Sequence, residues 1–597
     1  MESTATSSPR SATTRRLVSA LAAAAFLLYA ALLIVKVNAC AGGSDSSGYM
    51  NHARLLGMGR LHSLPRELPG LNPADFSEFL YTPLGFVPQS GSLVPSYPVG
   101  MPLMIVAAHW LAGWNYAGDV VIVAHSLAAL LLLFALSRTL GLSEWASLLA
   151  TIVLAASPLF LDFSLQAMSD VPALAWTSAT ALGLWLARRR VGWSILAGFV
   201  FGVSVLVRPN NALMLLPAIV AWWPWSPGWS ATSGRAGASA VVRAEPRSEA
   251  KARPEVALHH RSLWRPKFAS ELRSLALRLV GFGLGGLPVA AAFMLHSHTA
   301  YGHWLTTGYG DASSLFQPPL IPLTLRHYAQ WMPVVFSAGV WLFLLLPLVL
   351  WRNREAAFLF VWGMAYLGFY VSYYHTHEAW WYLRFVLPAA PAYLLGAIGM
   401  ARWLWALATR GVSERMGDRA LRLAAAVALV LIVRNEVKWD RQFQVLAVGH
   451  GEGSYPGAIN WLRQHAPANS VLEVMQASGA AFYYSDFIAL RWDQMTAATF
   501  PEVAAIAARE GRAIYAPLFP FETDSALKER MPGIWTPVGR VREVVIYRWD
   551  GAAAKPARPR AAFHQLRVSP CSPVMPTRPE VAFHQPAGVM MTFDPLR

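Results

Sequence analysis

Repeated apolar segments, each near the length that crosses a bilayer, constrain this chain more than anything else in it. A hydrocarbon core about 30 Å thick needs about 20 apolar helical residues. On that criterion segments 17–37, 117–137, 143–161, 170–187, 192–207, 209–226, 275–295, 331–350, 356–374, 383–401 and 421–437 read as roughly eleven spans. Composition agrees: 55% of the 597 residues are hydrophobic and 14% charged, against about 25% charged in soluble domains. The 25 Trp and 19 Tyr suit aromatic belts at two interfaces. The net charge of +16 does not point to nucleic acid, because its basic residues lie in blocks between apolar spans. The two cysteines, Cys40 and Cys571, make neither a disulfide framework nor a metal-ligand spacing.

Those basic blocks orient the chain. With the N-terminus (1–16) in the cytoplasm, the cytoplasmic connections hold Arg138, then Arg188-Arg189-Arg190, and then the stretch from Arg235 to Lys267. Arg352 with Arg354 follows, and last Arg410, Arg415 and Arg419. The opposite connections, 38–116, 162–169, 296–330 and 375–382, are poorer in Lys and Arg, the positive-inside pattern. The expected location is therefore the inner (cell) membrane, multi-pass, with an uncleaved first span as anchor. Residues 192–226 read either as two spans or as one kinked element, since Pro209 disfavours helix at Arg208.

Outside the bilayer, loop 38–116 carries a short amphipathic run, Met101 to Trp114, read as a juxtamembrane helix. The cytoplasmic insert 227–274, rich in Ser, Ala, Gly and Arg, is expected to be disordered. After the transmembrane domain (17–450), residues 451–549 read as a small extracytoplasmic α/β domain. Its strand-like runs are 470–475, 512–518 and 544–547, with helical runs 458–465 and 503–509. It has no Gly-rich phosphate fingerprint. The tail 550–597 repeats Ala-Phe-His-Gln at 562–565 and 582–585 and requires no fold. The fold class is thus mainly α and polytopic, with a small C-terminal α/β domain.

The chemistry-bearing residues gather on one side. Asp45, in Ser44-Asp45-Ser46-Ser47-Gly48-Tyr49-Met50-Asn51-His52-Ala53, follows the first span. It can cap a helix, and it can also face a cavity as a base. Asp170, just before the fourth span, has the same two readings. Arg384 suits bidentate phosphate binding or an interfacial anchor, and Arg208 is similar. His375-x-His377-Glu378 reads as a polar interface turn rather than a metal site, because two such His on a helix diverge.

Several of these pieces together resemble the GT-C superfamily of membrane glycosyltransferases, among them bacterial relatives of protein O-mannosyltransferases and of aminoarabinose–lipid A transferases. They are the Asp45…Tyr49…Ala53 segment, Ser96-Tyr97-Pro98-Val99-Gly100-Met101-Pro102-Leu103, and Ser157-Pro158 with Met168-Ser169-Asp170. Tyr301-Gly302…Thr307-Gly308-Tyr309-Gly310 and Arg384-Phe385-Val386-Leu387-Pro388 complete the set. The resemblance implies a GT-C fold over about 17–550 and transfer of a sugar from a polyprenyl-phosphate donor to an extracytoplasmic acceptor at the lipid bilayer. It implies Asp45 as general base with Asp170 as a second catalytic carboxylate on the same side, and Tyr49, Tyr97, Arg208, Tyr309 and Arg384 as substrate-binding residues. The resemblance settles no cofactor; two carboxylates can hold one divalent metal weakly, which leaves that option open. The chain departs from the pattern at three positions. Gly48 and Tyr97 stand where the aminoarabinose transferases carry Arg and Lys, and Ser46 stands where protein O-mannosyltransferases have the Glu of an Asp-Glu pair. A multi-spanning transporter or lipid flippase also needs many spans and a polar cavity. Such proteins tend to show internal repeats and midplane charges, and neither is evident here. A membrane scaffold presenting 451–549 leaves Asp45 and Asp170 no chemistry.

Overall fold

The computed structural model describes residues 9–224, 256–309, 313–350, 353–410 and 414–552. They divide into two compact units. One comprises Met1–Cys40, His52–Leu61 and Ser96–His450; the other comprises Ala41–Asn51, His62–Pro95 and Gly451–Arg597. The first extramembrane loop thus contributes two segments to the second unit, a division that no composition change in the loop signals.

In chain order the helices begin with α1 (Pro9–Lys36), α2 (Ser44–Gly57), α3 (Gly100–Ala112), α4 (Ala117–Thr139) and α5 (Glu144–Ala155). They continue with α6 (Pro158–Phe163), α7 (Asp170–Arg189), α8 (Trp193–Val207), α9 (Leu215–Trp222) and α10 (Val256–Tyr301). The expected juxtamembrane run is α3. By length and apolarity together, Ala117–Thr139, Ser270–Tyr301 and Trp380–Ala408 can cross a membrane. Pro318–Phe336 with Val340–Leu348 makes a fourth if that pair, bent by 113°, is one span. The expected count of eleven is not reached by that measure among the described residues, because several expected spans are short or interrupted. Segment 143–161 stops at Ala155 and restarts after Ser157, which caps α6 by accepting from the Phe160 N–H at 3.3 Å. Segment 192–226 is broken where Pro209 forces Arg208 into an extended conformation (φ −152°, ψ 112°), then passes through a 3-10 turn, Pro209–Met214. The insert expected to be disordered is helical from Val256 onward, and 225–255 lie outside the described residues, as does the tail from 553.

Helices α8 and α10 meet on small residues, which lets their backbones approach closely. A Cβ on Gly198 would collide with the Phe282 carbonyl, one on Gly285 with the Ile195 carbonyl, and one on Gly202 would lie 2.8 Å from Val289. The apolar core around them centres on buried Phe160, Phe336, Phe343, Trp362, Tyr366 and Tyr393. Within it the Tyr366 hydroxyl donates to Asn211 Oδ1 (2.8 Å) and Asn211 Nδ2 donates to Ser204 Oγ (2.9 Å), while the indole N–H groups of Trp185 and Trp362 have no hydrogen-bond partner among the described residues. The Asn211 bonds pin the turn that presents Arg208.

The second unit is α/β. A hairpin of β1 (Phe86–Gln89) and β2 (Ser92–Pro95) precedes β3 (Val471–Glu473), β4 (Ile488–Leu490), β5 (Ile514–Leu518), β6 (Ile534–Val541) and β7 (Val544–Gly551). The larger sheet has the order β4-β3-β5-β7-β6; β3 pairs parallel with β4 and β5, and β7 runs antiparallel to β5 and β6. Strand alternation sorts its side chains to two faces. Val471, Leu490, Ile514 and Ala516 pack with Leu68, Leu80 and the helix Phe500–Arg509. Leu472, Tyr515, Val544 and Ile546 pack with the helix Ser454–His465. The three expected strands are β3, β5 and β7; β4 and β6 carried no clear signal.

Candidate active site

In the membrane unit, Asp170 and Arg208 form one constellation. Asp170 occupies the first turn of α7, is 1% exposed, and receives Arg208 Nη1 on Oδ1 at 2.5 Å. Arg208 reaches it because the extended residue before Pro209 ends α8. Its guanidinium also lies 5.7 Å from the Phe385 ring. Arg384, one residue before Phe385 and 6% exposed, approaches the same ring from another position (5.2 Å). It is also 5.7 Å from the rings of Phe163 and Tyr382, and its Nη1 lies 4.0 Å from Met168 Sδ. Tyr370 stacks on Phe385 at 5.1 Å, within electrostatic reach of Arg208, Asp170 and Arg384. The structure therefore joins three residues singled out from the sequence around an aromatic cluster, Tyr370, Tyr382 and Phe385, that sequence reasoning missed.

Tyr97 and Tyr309 are brought together edge to face at 6.1 Å. Gly308 makes this contact possible, since a Cβ there would collide with the backbone of Ser96. Next to them, buried His52 stacks on His296 at 5.5 Å, and Tyr301 meets His296 edge-on at 6.1 Å. Burial and the neighbouring His296 push His52 down to about 3, so it is neutral. Gly100, at the start of α3, abuts the backbone of Leu206 and Val207, immediately before Arg208.

Asp45 belongs to the second unit. It lies half-buried in the first turn of α2, where a carboxylate suits the helix dipole. Tyr49, one turn on, is buried (3% exposed). Beside Asp45 is a group the sequence did not reveal. Glu452 accepts from Ser46 Oγ (2.9 Å) and from the Gly43 N–H. Burial first, and then the Asp45 charge, push its carboxyl up to about 7. No local motif marks Glu452, because more than 400 residues of chain separate it from Asp45 (|i−j| is 406 for the Ser46 bond). Asp45 and Asp170 belong to different compact units.

His375 and His377 form a 3-10 turn, with His375 Nδ1 3.1 Å from the Glu378 carboxylate, which is the polar turn expected there. Among the described residues, no group of three His, Cys, Asp or Glu side chains could hold a metal ion.

Residues 98–242 match the dolichyl-phosphate-mannose-protein mannosyltransferase family. The matched segment contains Asp170 and Arg208, and the match agrees with the expected resemblance to relatives of protein O-mannosyltransferases. Similar solved structures include ArnT from Cupriavidus metallidurans bound to undecaprenyl phosphate, at 14% identity and TM-score 0.47, covering 90% of this chain and 99% of that one. The oligosaccharyltransferase of Archaeoglobus fulgidus matches at 12% identity and TM-score 0.47, with 84% and 69% covered. The mycobacterial arabinofuranosyltransferase AftD matches at 13% identity and TM-score 0.43, with 89% and 41% covered. No curated protein matches the chain.

Proposed function

We propose that this protein transfers a sugar from a polyprenyl-phosphate carrier to an acceptor hydroxyl outside the cytoplasm, as an integral inner-membrane glycosyltransferase. The observation that carries this reading is that the family-matched segment holds Asp170 and Arg208, and the chain folds them into one buried ion pair. An acceptor hydroxyl is a poor nucleophile until a base removes its proton. In this reading Asp45 takes that proton, the acceptor oxygen bonds to the anomeric carbon, and the bond from that carbon to the phosphate oxygen breaks. The lipid phosphate leaves with the electron pair, and guanidinium groups stabilise the charge that develops on it. Arg384 and Arg208 supply them, and Asp170 orients Arg208. The rings of Tyr370, Tyr382 and Phe385 provide the apolar surroundings in which such contacts strengthen. Tyr97 and Tyr309 contact the donor, and Tyr49 holds the helix turn that carries Asp45.

Membranes supplied with a radiolabelled polyprenyl-phosphate sugar test this. Asp45→Asn keeps size and capping ability but loses the basic carboxylate, so transfer should fall by about 10²–10⁴-fold. Asp45→Glu should recover little, because a displaced carboxylate loses its attack geometry. Activity within a few-fold of wild type in Asp45→Asn would reduce Asp45 to a cap and overturn the assignment.

A further inference from the structure

We propose that Glu452 is a positioning residue for Asp45: its carboxylate, bonded by the Gly43 N–H and the Ser46 hydroxyl, fixes the amino end of α2, the turn that carries Asp45. This rests on the reading of Asp45 as the proton acceptor. The seat of Glu452 is a recess in the backbone just ahead of α2. A Cβ on Gly42 would collide with Glu452 Oε2 and lie 2.8 Å from Cδ, so the carboxylate occupies the space that the glycine leaves. Within the recess the Gly43 N–H and the Ser46 hydroxyl (2.9 Å) both donate to it. Two of the donors at this helix start are thereby satisfied by a residue from a distant part of the chain.

A carboxylate needed only to cap would have no reason to sit within reach of a second one. Like charges at short range raise each other's proton affinity. The charged group facing Glu452 is Asp45 on α2. Tyr455 on the helix Ser454–His465 is the neighbouring titratable side chain; its hydroxyl is 3.4 Å from where a Cβ on Gly43 would stand and accepts from Gln476 Nε2 at 3.2 Å. Burial holds Glu452 near neutrality, at about 7. Above that pH the charged carboxylate accepts both bonds at full strength, and below it, protonated, it holds the α2 amino end less firmly.

The test is the pH profile of transfer, with kcat and KM for the lipid-linked donor measured separately. Glu452→Gln keeps an acceptor oxygen for Ser46 and Gly43 but carries no charge. Wild-type kcat should rise roughly two- to tenfold through a step near pH 7, as the charged Glu452 tightens the turn that aims Asp45. Glu452→Gln should lack that step while keeping the donor KM, and Ser46→Ala, which removes a bond favouring the charged form, should move the step to higher pH. A step retained in Glu452→Gln, or absent from wild type, leaves Glu452 as a structural tie and overturns the proposal. Asp45→Asn in the same assay separates the two claims. If Asp45→Asn stays active, the base assignment fails and this inference with it. If Asp45→Asn is inactive and Glu452→Gln keeps the step, this inference alone fails.

Discussion

Replacing Glu473 with Gln isolates the electrostatic cost of one carboxyl in the α/β unit. Glu473 is the last residue of β3, between β4 and β5, at 0% exposure, with no hydrogen-bond partner on either carboxylate oxygen. Burial drives its proton affinity well above the ordinary carboxylate value of 4.5. The unfolded chain ionises it above that ordinary value while the folded chain keeps it protonated. Its contribution is therefore fully present at acid pH and is lost as pH rises. Over the range in which the unfolded carboxyl is ionised and the folded one is not, each pH unit costs about 1.4 kcal/mol. Glu473→Gln is neutral throughout, so it should match wild type near pH 5 to within about 1 kcal/mol and gain on it as pH rises, by up to about 1.4 kcal/mol per unit. Glu522 and Glu452, whose carboxyls burial raises to about 7, contribute the same sign of pH dependence but cancel in the difference between the two proteins. The full-length protein in detergent would be unfolded in urea at each pH, with cleavage inside residues 451–552 after a protease pulse as the readout. Parallel pH dependence in wild type and Glu473→Gln would refute the reasoning.

Gly198→Ala should lower the thermal midpoint of the detergent-solubilised protein sharply, because its Cβ meets the Phe282 carbonyl, whereas Gly283→Ala, with open space around its Cβ, should be neutral or slightly stabilising. Arg66 donates to the carbonyls of Ser485 (2.7 Å) and Phe482 (3.0 Å) and covers the Phe482 ring at 4.4 Å, closing the end of the helix Ser478–Tyr484. Arg66→Ala should cost about 2 kcal/mol or more, with Lys a poor substitute because it lacks the fork geometry; proteolysis of the 451–552 region reads this out. Asp170→Asn, Arg208→Gln and the double variant should show a coupling of about 1–3 kcal/mol in unfolding midpoints. Additive losses would mean the pair is not a unit.

Periodicity and composition are local properties, and what they control was legible in the chain. Segment length and apolarity marked α4, the apolar part of α10 and Trp380–Ala408, and the Arg208-Pro209 step marked the break after α8. Short runs rich in β-branched, aromatic and other apolar residues marked β3, β5 and β7. Asp170, Arg208 and Arg384 were visible as polar residues at the ends of apolar runs, but their common focus on Phe385 was not, because three separate elements supply them. The edge strand β4 escaped detection because Ile488-Ala489-Leu490 is a short apolar run that periodicity cannot tell from part of a helix. The start of α10 escaped because its polar composition resembles that of a loop. Glu452 was invisible for a different reason. Nothing in Gly451-Glu452-Gly453 is unusual, and its proton affinity comes only from the burial, the Gly42 recess and the Asp45 charge that folding assembles around it. The sequence by itself determined a membrane-spanning helical chain with a small α/β unit and an Asp in the first loop. Tertiary structure decided which charges meet, because an ion pair or a shifted carboxyl depends on distances across the fold that no spacing along the chain encodes.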